Sequence, residues 1–202
     1  MIFFFYSAIF IMAISSFTNI IETSVTMDNE MDTINKIGFG GSCHWCTEAI
    51  FQSLKGVIEV QQGWIASEGD ASGFSEGVVV HFNTEIISLN TLIAIHLHTH
   101  SCTSAHHLRS KYRSAIYFFN EDQIKPAVDA VSVLQNDFEN EIITEVIPFV
   151  AFRLNTEEYL NYYYSNPQKP FCENIVSAKL KLLLKHFSEN VDQAKLTEST
   201  SQ

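Results

Sequence analysis

Two cysteines, Cys43 and Cys46, follow the glycine-rich segment Gly38–Ser42. Apolar residues after Cys46 recur at helical spacing, so the pattern predicts that both thiols lie at the start of a helix. The unpaired N–H groups and the positive dipole end of a helix start stabilise a thiolate relative to a thiol. Cys43 is therefore the candidate nucleophile, and Cys46 is close enough in the chain to react with it.

This C-x-x-C pair permits three interpretations. It is typical of a redox-active dithiol, and a general thiol–disulfide oxidoreductase is one function that it supports. Half of a zinc site and two inert core thiols are the alternatives. Because the chain has no second C-x-x-C, zinc ranks below redox chemistry.

Strands and helices alternate around the cysteines. The patterns predict a strand over Ile34–Phe39, a helix over Cys46–Leu54 and a strand over Val57–Ala66. Such interleaving favours an α+β fold, a two-layer α/β sandwich in which helices cover a mixed sheet. The later predicted elements are strand Gly77–Phe82, helix Leu89–Leu97 capped by Ser88, strand Ser114–Phe119, helix Glu121–Gln135, strand Ile142–Phe152 and helix Cys172–Phe187.

Composition restricts the partners. A length of 202 residues with 46% hydrophobic content fits one globular domain. The formal net charge of -11 repels phosphate backbones, so nucleic acid is excluded as a partner. Four unevenly spaced cysteines are too few for a disulfide scaffold, which favours a chemical role for them.

The N-terminal region is distinct from the expected domain. Residues 2–17 are apolar enough for a signal-peptide core but short for a membrane span, and no Lys or Arg precedes them. We expect 1–33 to be a leader or an over-extended start, 34–187 to be the domain and 188–202 to be a disordered tail. An over-extended start favours a cytoplasmic protein, whereas a real signal implies export or membrane association.

Several segments together resemble one enzyme family. They are Ser42-Cys43-His44-Trp45, Thr47-Glu48-Ala49, Leu54-Lys55-Gly56-Val57, Tyr112-Arg113-Ser114-Ala115-Ile116-Tyr117, Asn166-Pro167 and Phe171-Cys172. Over roughly residues 36–187 the chain resembles the A-type peptide methionine sulfoxide reductases. The resemblance implies a ferredoxin-like plait and reduction of methionine S-sulfoxide in peptides or proteins.

The resemblance also implies roles for individual side chains. Glu76, in Gly73-Phe74-Ser75-Glu76, matches the general acid, although by itself it reads as a solvated glutamate at a strand edge. Attack on a sulfoxide sulfur builds negative charge on its oxygen, which a carboxylic acid can protonate. Tyr112 matches a hydrogen-bond donor to that oxygen, and Trp45 matches an aromatic wall that receives the substrate methyl group. Surface and core packing are the respective alternatives for these two residues.

The implied cycle needs two thiols and an external reductant. Cys43 becomes a sulfenic acid, and a second thiol then condenses with it to form an intramolecular disulfide. Cys172 matches the resolving position of the family and is favoured over Cys46. Thioredoxin or another dithiol would reduce the disulfide, and the resemblance implies a monomer without a cofactor.

Three departures from the family pattern concern substrate binding. His44 replaces a phenylalanine, and its ring can titrate near neutral pH. The loop between Trp64 and Gly73 is short and lacks a segment with a second tyrosine, while His107 falls near an expected aspartate. These changes leave a third function open, a non-catalytic binding protein. A metal site is the minority interpretation of the histidine-rich stretch, which contains His96, His98, His100, His106 and His107.

Overall fold

The computed structural model describes residues 33–198, so the expected leader lies almost wholly outside the described residues. From Asn35 onward the chain forms one compact unit. Across residues 33–198 no helix is both long and apolar enough to cross a membrane. In chain order the elements are β1 (Ile34–Gly40), α1 (His44–Gln52), β2 (Val57–Ala66), β3 (Ser75–Asn83), α2 (Leu89–Thr99), β4 (Ala115–Phe118), α3 (Ile124–Leu134), β5 (Glu145–Pro148), β6 (Ala151–Leu154), α4 (Tyr162–Ser165), a π-helical turn (Cys172–Val176) that continues into α5 (Ser177–Phe187), and α6 (Gln193–Glu198).

The strands form one mixed sheet in the order β5-β4-β1-β3-β2-β6. β4 and β5 run parallel, whereas β1 with β4, β2 with β3, and β2 with β6 run antiparallel. The central order β4-β1-β3-β2, built from a β-α-β-β-α-β succession, is a ferredoxin-like plait. The expected α+β class and mixed sheet are therefore confirmed.

The main core lies between the sheet and its helices. Phe39 of β1 stacks on Phe51 of α1 with ring centroids 4.7 Å apart, and both side chains are fully buried. Leu92 and Ile95 of α2 and Leu183 of α5 belong to the same cluster. Burial of these apolar faces fixes α1 against β1, which places the start of α1 at the end of that strand.

Local sequence signals explain why the predicted boundaries of α2 and β2 agree with the structure. Ser88 caps α2, since its Oγ accepts the backbone N–H of Thr91 at 3.1 Å. Gly56 adopts a left-handed φ of 76°, which lets the chain turn tightly between α1 and β2. β2 then occupies Val57–Ala66, the range that its β-branched and alternating residues predict.

The predicted single strand over Ile142–Phe152 is wrong. The chain forms β5 and β6 instead, on opposite edges of the sheet. The N–H of Phe149 donates to Phe118 O in β4 at 2.8 Å, and the next N–H, of Val150, donates to Ala66 O in β2 at 3.1 Å. In a flat sheet β4 and β2 would lie about 14 Å apart, which adjacent N–H groups cannot bridge. The sheet therefore curls until its two edges approach each other.

The expected disordered tail also needs correction, because residues 188–198 are structured. The N–H of Lys55 donates to Asn190 O at 2.9 Å, and the N–H of Asp192 donates to Ser53 O at 2.8 Å. Val191 is buried and pairs with Leu54 in an isolated bridge. These backbone bonds dock the segment beside the end of α1, a long-range pairing that local composition does not reveal. Residues 199–202 lie outside the described range.

Candidate active site

A tight glycine turn delivers Cys43 to the start of α1. Gly41 has a φ of 141°, a conformation that other residues rarely adopt, and a side chain there would overlap the ring of His100. Cys43 is the N-cap of α1, and its carbonyl accepts the N–H groups of Cys46 and Thr47, each at 3.1 Å. The thiol thus occupies the helix start that the sequence predicts.

The two thiols of α1 have opposite properties. The pKa of Cys43 is lowered, chiefly because Cys46 donates a hydrogen bond to its sulfur and also because the N–H groups of Trp45 and Cys46 point to it. Burial and the charge of Glu76 oppose this shift. The pKa of Cys46 is raised by that same hydrogen bond and by burial. Of the two thiols, Cys43 therefore has the greater thiolate character, and Cys46 is a protonated donor beside it.

Glu76 of β3 places a carboxyl group beside this helix start. The residue is only 4% exposed. Its Oε2 accepts the N–H of His44, the residue after Cys43, at 3.0 Å. Its Oε1 lies 3.1 Å from Lys111 Nζ. The predicted acid is thus a buried group at the mouth of α1, which excludes the solvated strand-edge alternative.

The loop before β4 brings Tyr112 to the same place. Arg109 Nη1 donates to Gly41 O at 3.2 Å and to Tyr112 O at 3.0 Å, which ties the loop to the glycine turn. Lys111 Nζ lies 5.1 Å from the centre of the Tyr112 ring. Hydrogen bonds to Glu76, and then to Tyr112, raise the pKa of Lys111. The structure therefore gathers Glu76, Lys111 and Tyr112 in front of α1.

His44 contributes a buried imidazole. Its Nδ1 lies 3.3 Å from Gly63 O, and its Nε2 lies 3.3 Å from the Asn155 amide nitrogen. The hydrogen bonds assign a neutral tautomer that donates from Nδ1 and accepts at Nε2. Burial lowers the pKa of His44, against the opposing charge of Glu76. Its ring also packs against the rings of Trp45 and Trp64.

Trp45 belongs to an aromatic cluster. Its ring stacks on Tyr162 of α4 with centroids 4.0 Å apart, and it meets the ring of Phe171 edge-on at 5.5 Å. Glu48 of α1 secures the segment that carries Tyr162, because its carboxyl accepts the N–H groups of Asn161 at 2.8 Å and Tyr162 at 3.2 Å. The aromatic wall predicted at Trp45 thus includes two rings from the C-terminal part of the chain.

Cys172 lies in the neighbourhood of Cys46. All four cysteines are free thiols, and Cys172 is fully buried at the first position of the π-helical turn. Burial raises its pKa, and it acts electrostatically on Cys46. Lys179 of α5 faces both Cys43 and Cys46, while its Nζ donates to Thr99 O. Cys46 is thus in hydrogen-bond contact with Cys43, and Cys172 is near enough to Cys46 to act on it electrostatically.

The histidines of the rich stretch are dispersed. His96 and His100 stack beneath the glycine turn with centroids 4.1 Å apart, and His100 Nε2 lies 2.7 Å from Ser114 Oγ. His98 pairs with Asp137 at 3.1 Å. His107 is exposed on the loop, where it interacts electrostatically with His106. Between residues 33 and 198 no three His, Cys, Asp or Glu side chains converge as metal ligands would.

Three contributors escape sequence reasoning. Lys111 adjoins Tyr112, but its reach to Glu76 depends on how the loop packs on β3. Asn155 meets His44 across 111 residues, and Tyr162 reaches Trp45 from α4. For Tyr162, the one signal in the sequence is the tyrosine-rich run at 162–164.

Known proteins share both the sequence and the fold. The model of a family described as peptide methionine sulfoxide reductase matches residues 35–192. The peptide methionine sulfoxide reductase MsrA of Trichodesmium erythraeum is 32% identical over 174 residues, which are 78% of this chain and 98% of that protein. The reduced form of Mxr1 from Saccharomyces cerevisiae superimposes with a TM-score of 0.62 at 20% identity, covering 70% of this chain and 90% of that one. A structure of Mxr1 in complex with Trx2 gives a TM-score of 0.52 at 20% identity, covering 63% and 84%.

Proposed function

Because this chain belongs to the peptide methionine sulfoxide reductase family, we propose that it reduces methionine S-sulfoxide in peptides or proteins, with Cys43 as the nucleophile. One observation carries the proposal. A cysteine of lowered pKa caps α1, and the buried carboxyl of Glu76 accepts the N–H of the very next residue. A thiolate and a proton donor therefore face the same small volume, as sulfoxide reduction requires.

In the first step the Cys43 thiolate attacks the sulfoxide sulfur. This attack forms an S–S bond while Glu76 gives one proton to the oxygen. The hydroxyl then passes to the cysteine sulfur as the S–S bond and the substrate's S–O bond break, which leaves a thioether and a Cys43 sulfenic acid. The cysteine sulfur loses two electrons and the sulfoxide sulfur gains two, so the step needs no cofactor.

The substrate is held by groups on either side of Cys43. Tyr112 donates a hydrogen bond to the sulfoxide oxygen on the Glu76 side. Trp45 receives the methyl group on the other side, where sulfur and methyl contacts with a ring are favourable. His44, as a neutral ring, lies between these two sides of the pocket. His107, which is exposed on the Tyr112 loop, would contact the peptide around the oxidised residue.

The sulfenic acid is resolved by a second thiol. Condensation with a thiol releases water and forms a disulfide. The hydrogen bond from Cys46 to Cys43 supports Cys46 as the first partner. The Cys172 thiolate, which lies near Cys46, then attacks the Cys46 sulfur, so that a Cys46–Cys172 disulfide forms and Cys43 leaves as a thiolate. In this order both Cys46 and Cys172 take part in resolution.

An external dithiol completes the cycle. Mxr1, which shares the fold, has been crystallised in complex with Trx2, and this supports thioredoxin as the reductant here. We place the enzyme in a compartment that supplies such a dithiol, such as the cytoplasm, because the intramolecular disulfide must be reduced in every cycle.

A general thiol–disulfide oxidoreductase is less well supported. Disulfide exchange needs the two thiols but no buried carboxyl aimed at the nucleophile's helix start. Glu76 even raises the pKa of Cys43, which is a disadvantage for exchange alone. The arrangement favours a reaction that consumes a proton.

Dithiothreitol-driven reduction of a peptide containing one methionine sulfoxide tests the proposal. The S epimer should be consumed and the R epimer left, and Cys43→Ser should abolish turnover. Cys102→Ser is the matched control, because Cys102 is a buried thiol outside the site, with a pKa raised to about 11 by burial. Absence of wild-type turnover, or full activity in Cys43→Ser, would refute the proposal.

A further inference from the structure

Lys111 covers the solvent side of the buried carboxyl. The Glu76 side chain is 5% exposed and that of Lys111 is 49% exposed, and their charged atoms lie 3.1 Å apart. The N–H of His44 occupies the other carboxyl oxygen. The ammonium group is therefore the part of this pair that an arriving substrate meets first.

The backbone holds Lys111 in that position. Its carbonyl oxygen accepts the N–H of Glu76 and the Oγ–H of Ser75, each at 2.8 Å. The N–H of Arg113 donates to the same Ser75 hydroxyl at 2.8 Å. The loop is thus bonded to β3 at Lys111 and at Arg113, and the Lys111 side chain starts from a fixed point beside the acid.

An ammonium group has three N–H donors and no acceptor. Glu76 and Tyr112 each accept one of them, and half of the side chain faces solvent, so an oxygen that approaches Glu76 can accept the third. Its hydrogen bonds to Glu76 and Tyr112 raise the pKa of Lys111 and keep its charge at neutral pH. A charged donor binds an oxygen that gains negative charge about twice as strongly as a neutral one.

We propose that Lys111 is a further catalytic residue, whose ammonium donates a hydrogen bond to the sulfoxide oxygen beside Tyr112 while Cys43 attacks the sulfur. The inference rests on the proposed function. Glu76, which carries a proton once the substrate is bound, supplies it to the oxygen, and Lys111 keeps its own three. After the transfer the ammonium pairs with the carboxylate again, as it does in the free enzyme, and during the transfer it stabilises the charge that develops on the oxygen.

Replacement of the charge tests the proposal. With the S-sulfoxide peptide and dithiothreitol, Lys111→Met should lower kcat about 100-fold with little change in KM, as loss of one donor to a developing oxyanion does. Lys111→Arg should recover most of the rate, because it restores a charged donor. Lys125→Met is the matched control, since it removes an exposed lysine from a surface ion pair with Asp129.

The outcomes separate this inference from the proposed function. If the wild type is inactive, the proposed function fails and Lys111 loses its role with it. If the wild type is active and Lys111→Met keeps its kcat, only the role of Lys111 is refuted. Equal loss in Lys111→Met and Lys111→Arg, with unchanged alkylation of Cys43, refutes it too. Lys111→Gln, which keeps a polar side chain, replaces Lys111→Met should that variant not fold.

Discussion

Two buried glutamates, Glu48 within α1 and Glu76 beside its start, have different roles. Glu48 is 2% exposed and Glu76 is 4% exposed. Glu48 accepts hydrogen bonds from the backbone N–H groups of Asn161 and Tyr162 and from the Gln62 amide. Glu76 accepts one backbone N–H and meets a half-exposed lysine. Burial is thus the same, but only Glu76 has a partner that can exchange its contact for a substrate.

This difference distinguishes a carboxyl that is fully occupied by the fold from the proposed acid. Burial raises the pKa of Glu48, and its three fixed donors act in the opposite direction. Those donors leave no direction from which a ligand can approach. Glu76 faces the helix start that carries the nucleophile, and its remaining oxygen is covered only by the Lys111 side chain.

The largest expected effect comes from the same substitution at both positions. Glu76→Gln should lower kcat/KM about 10²- to 10⁴-fold, because the amide cannot protonate the oxygen. Glu48→Gln should keep most of the activity. Steady-state kinetics on the S-sulfoxide peptide measures both, and similar losses would erase the distinction between the two sites.

Next in size is the effect of Glu48 on stability. Glu48→Ala should reduce the free energy of unfolding by about 1–3 kcal/mol, because the partly buried N–H groups of Asn161 and Tyr162 lose their acceptor and the Gln62 amide loses one of its two. Urea denaturation followed by tryptophan fluorescence measures this change. A more stable Glu48→Ala would contradict the structural role.

The charge of Glu76 and the hydrogen bond from Cys46 should shift the pKa of Cys43 in opposite directions. Glu76→Gln removes a charge that raises this pKa, so Cys43 should become alkylated at lower pH. Cys46→Ala removes the donor that lowers it, so alkylation should need higher pH, whereas Cys46→Ser retains a donor. Iodoacetamide rates against pH report the shifts, in a background lacking Cys102 and Cys172. Shifts in the same direction would refute this assignment.

Resolution can be tested separately from attack. With thioredoxin as reductant, Cys46→Ser should stall recycling after one turnover while leaving the first reduction intact, because the sulfenic acid loses its neighbouring thiol. Cys172→Ser should slow recycling less if Cys46 acts first. Single-turnover and steady-state rates separate the two steps, and the reverse ranking would assign first resolution to Cys172.

The smallest effect concerns the turn that Glu48 holds. Asn161 has a φ of 52°, in the left-handed region. Asn161→Ala should cost about 1 kcal/mol of unfolding free energy, while Asn161→Gly should be nearly neutral. Thermal denaturation compares the two, and equal losses would show that backbone strain at this turn is unimportant.

Features encoded locally could be predicted, and features that depend on distant contacts could not. The cap at Ser88, the limits of β2 and the helix start at Cys43 follow from neighbouring residues. Glu76 and Tyr112 were identified as a pair only through a family resemblance. Lys111 was missed because its value lies in a contact across 35 residues of chain, which no spacing rule describes.

The sequence pattern also gave a wrong prediction for the segment that supplies a strand to each edge of the sheet. Residues 142–152 have the composition of one strand, but the sheet's curl assigns them to β5 and β6. The register depends on where β2 and β4 come to lie, and this is decided only when the whole sheet forms.

The width of the active site depends on the length of the connection at Phe149 and Val150. Two residues join opposite edges of the sheet, so their span limits how far β2 can move away from β4. β2 presents Gly63 O to the ring of His44, and β4 follows the loop that carries Tyr112. With a longer connection β2 and β4 could move apart. The distance between the His44 side and the Tyr112 side of the pocket would then no longer be fixed.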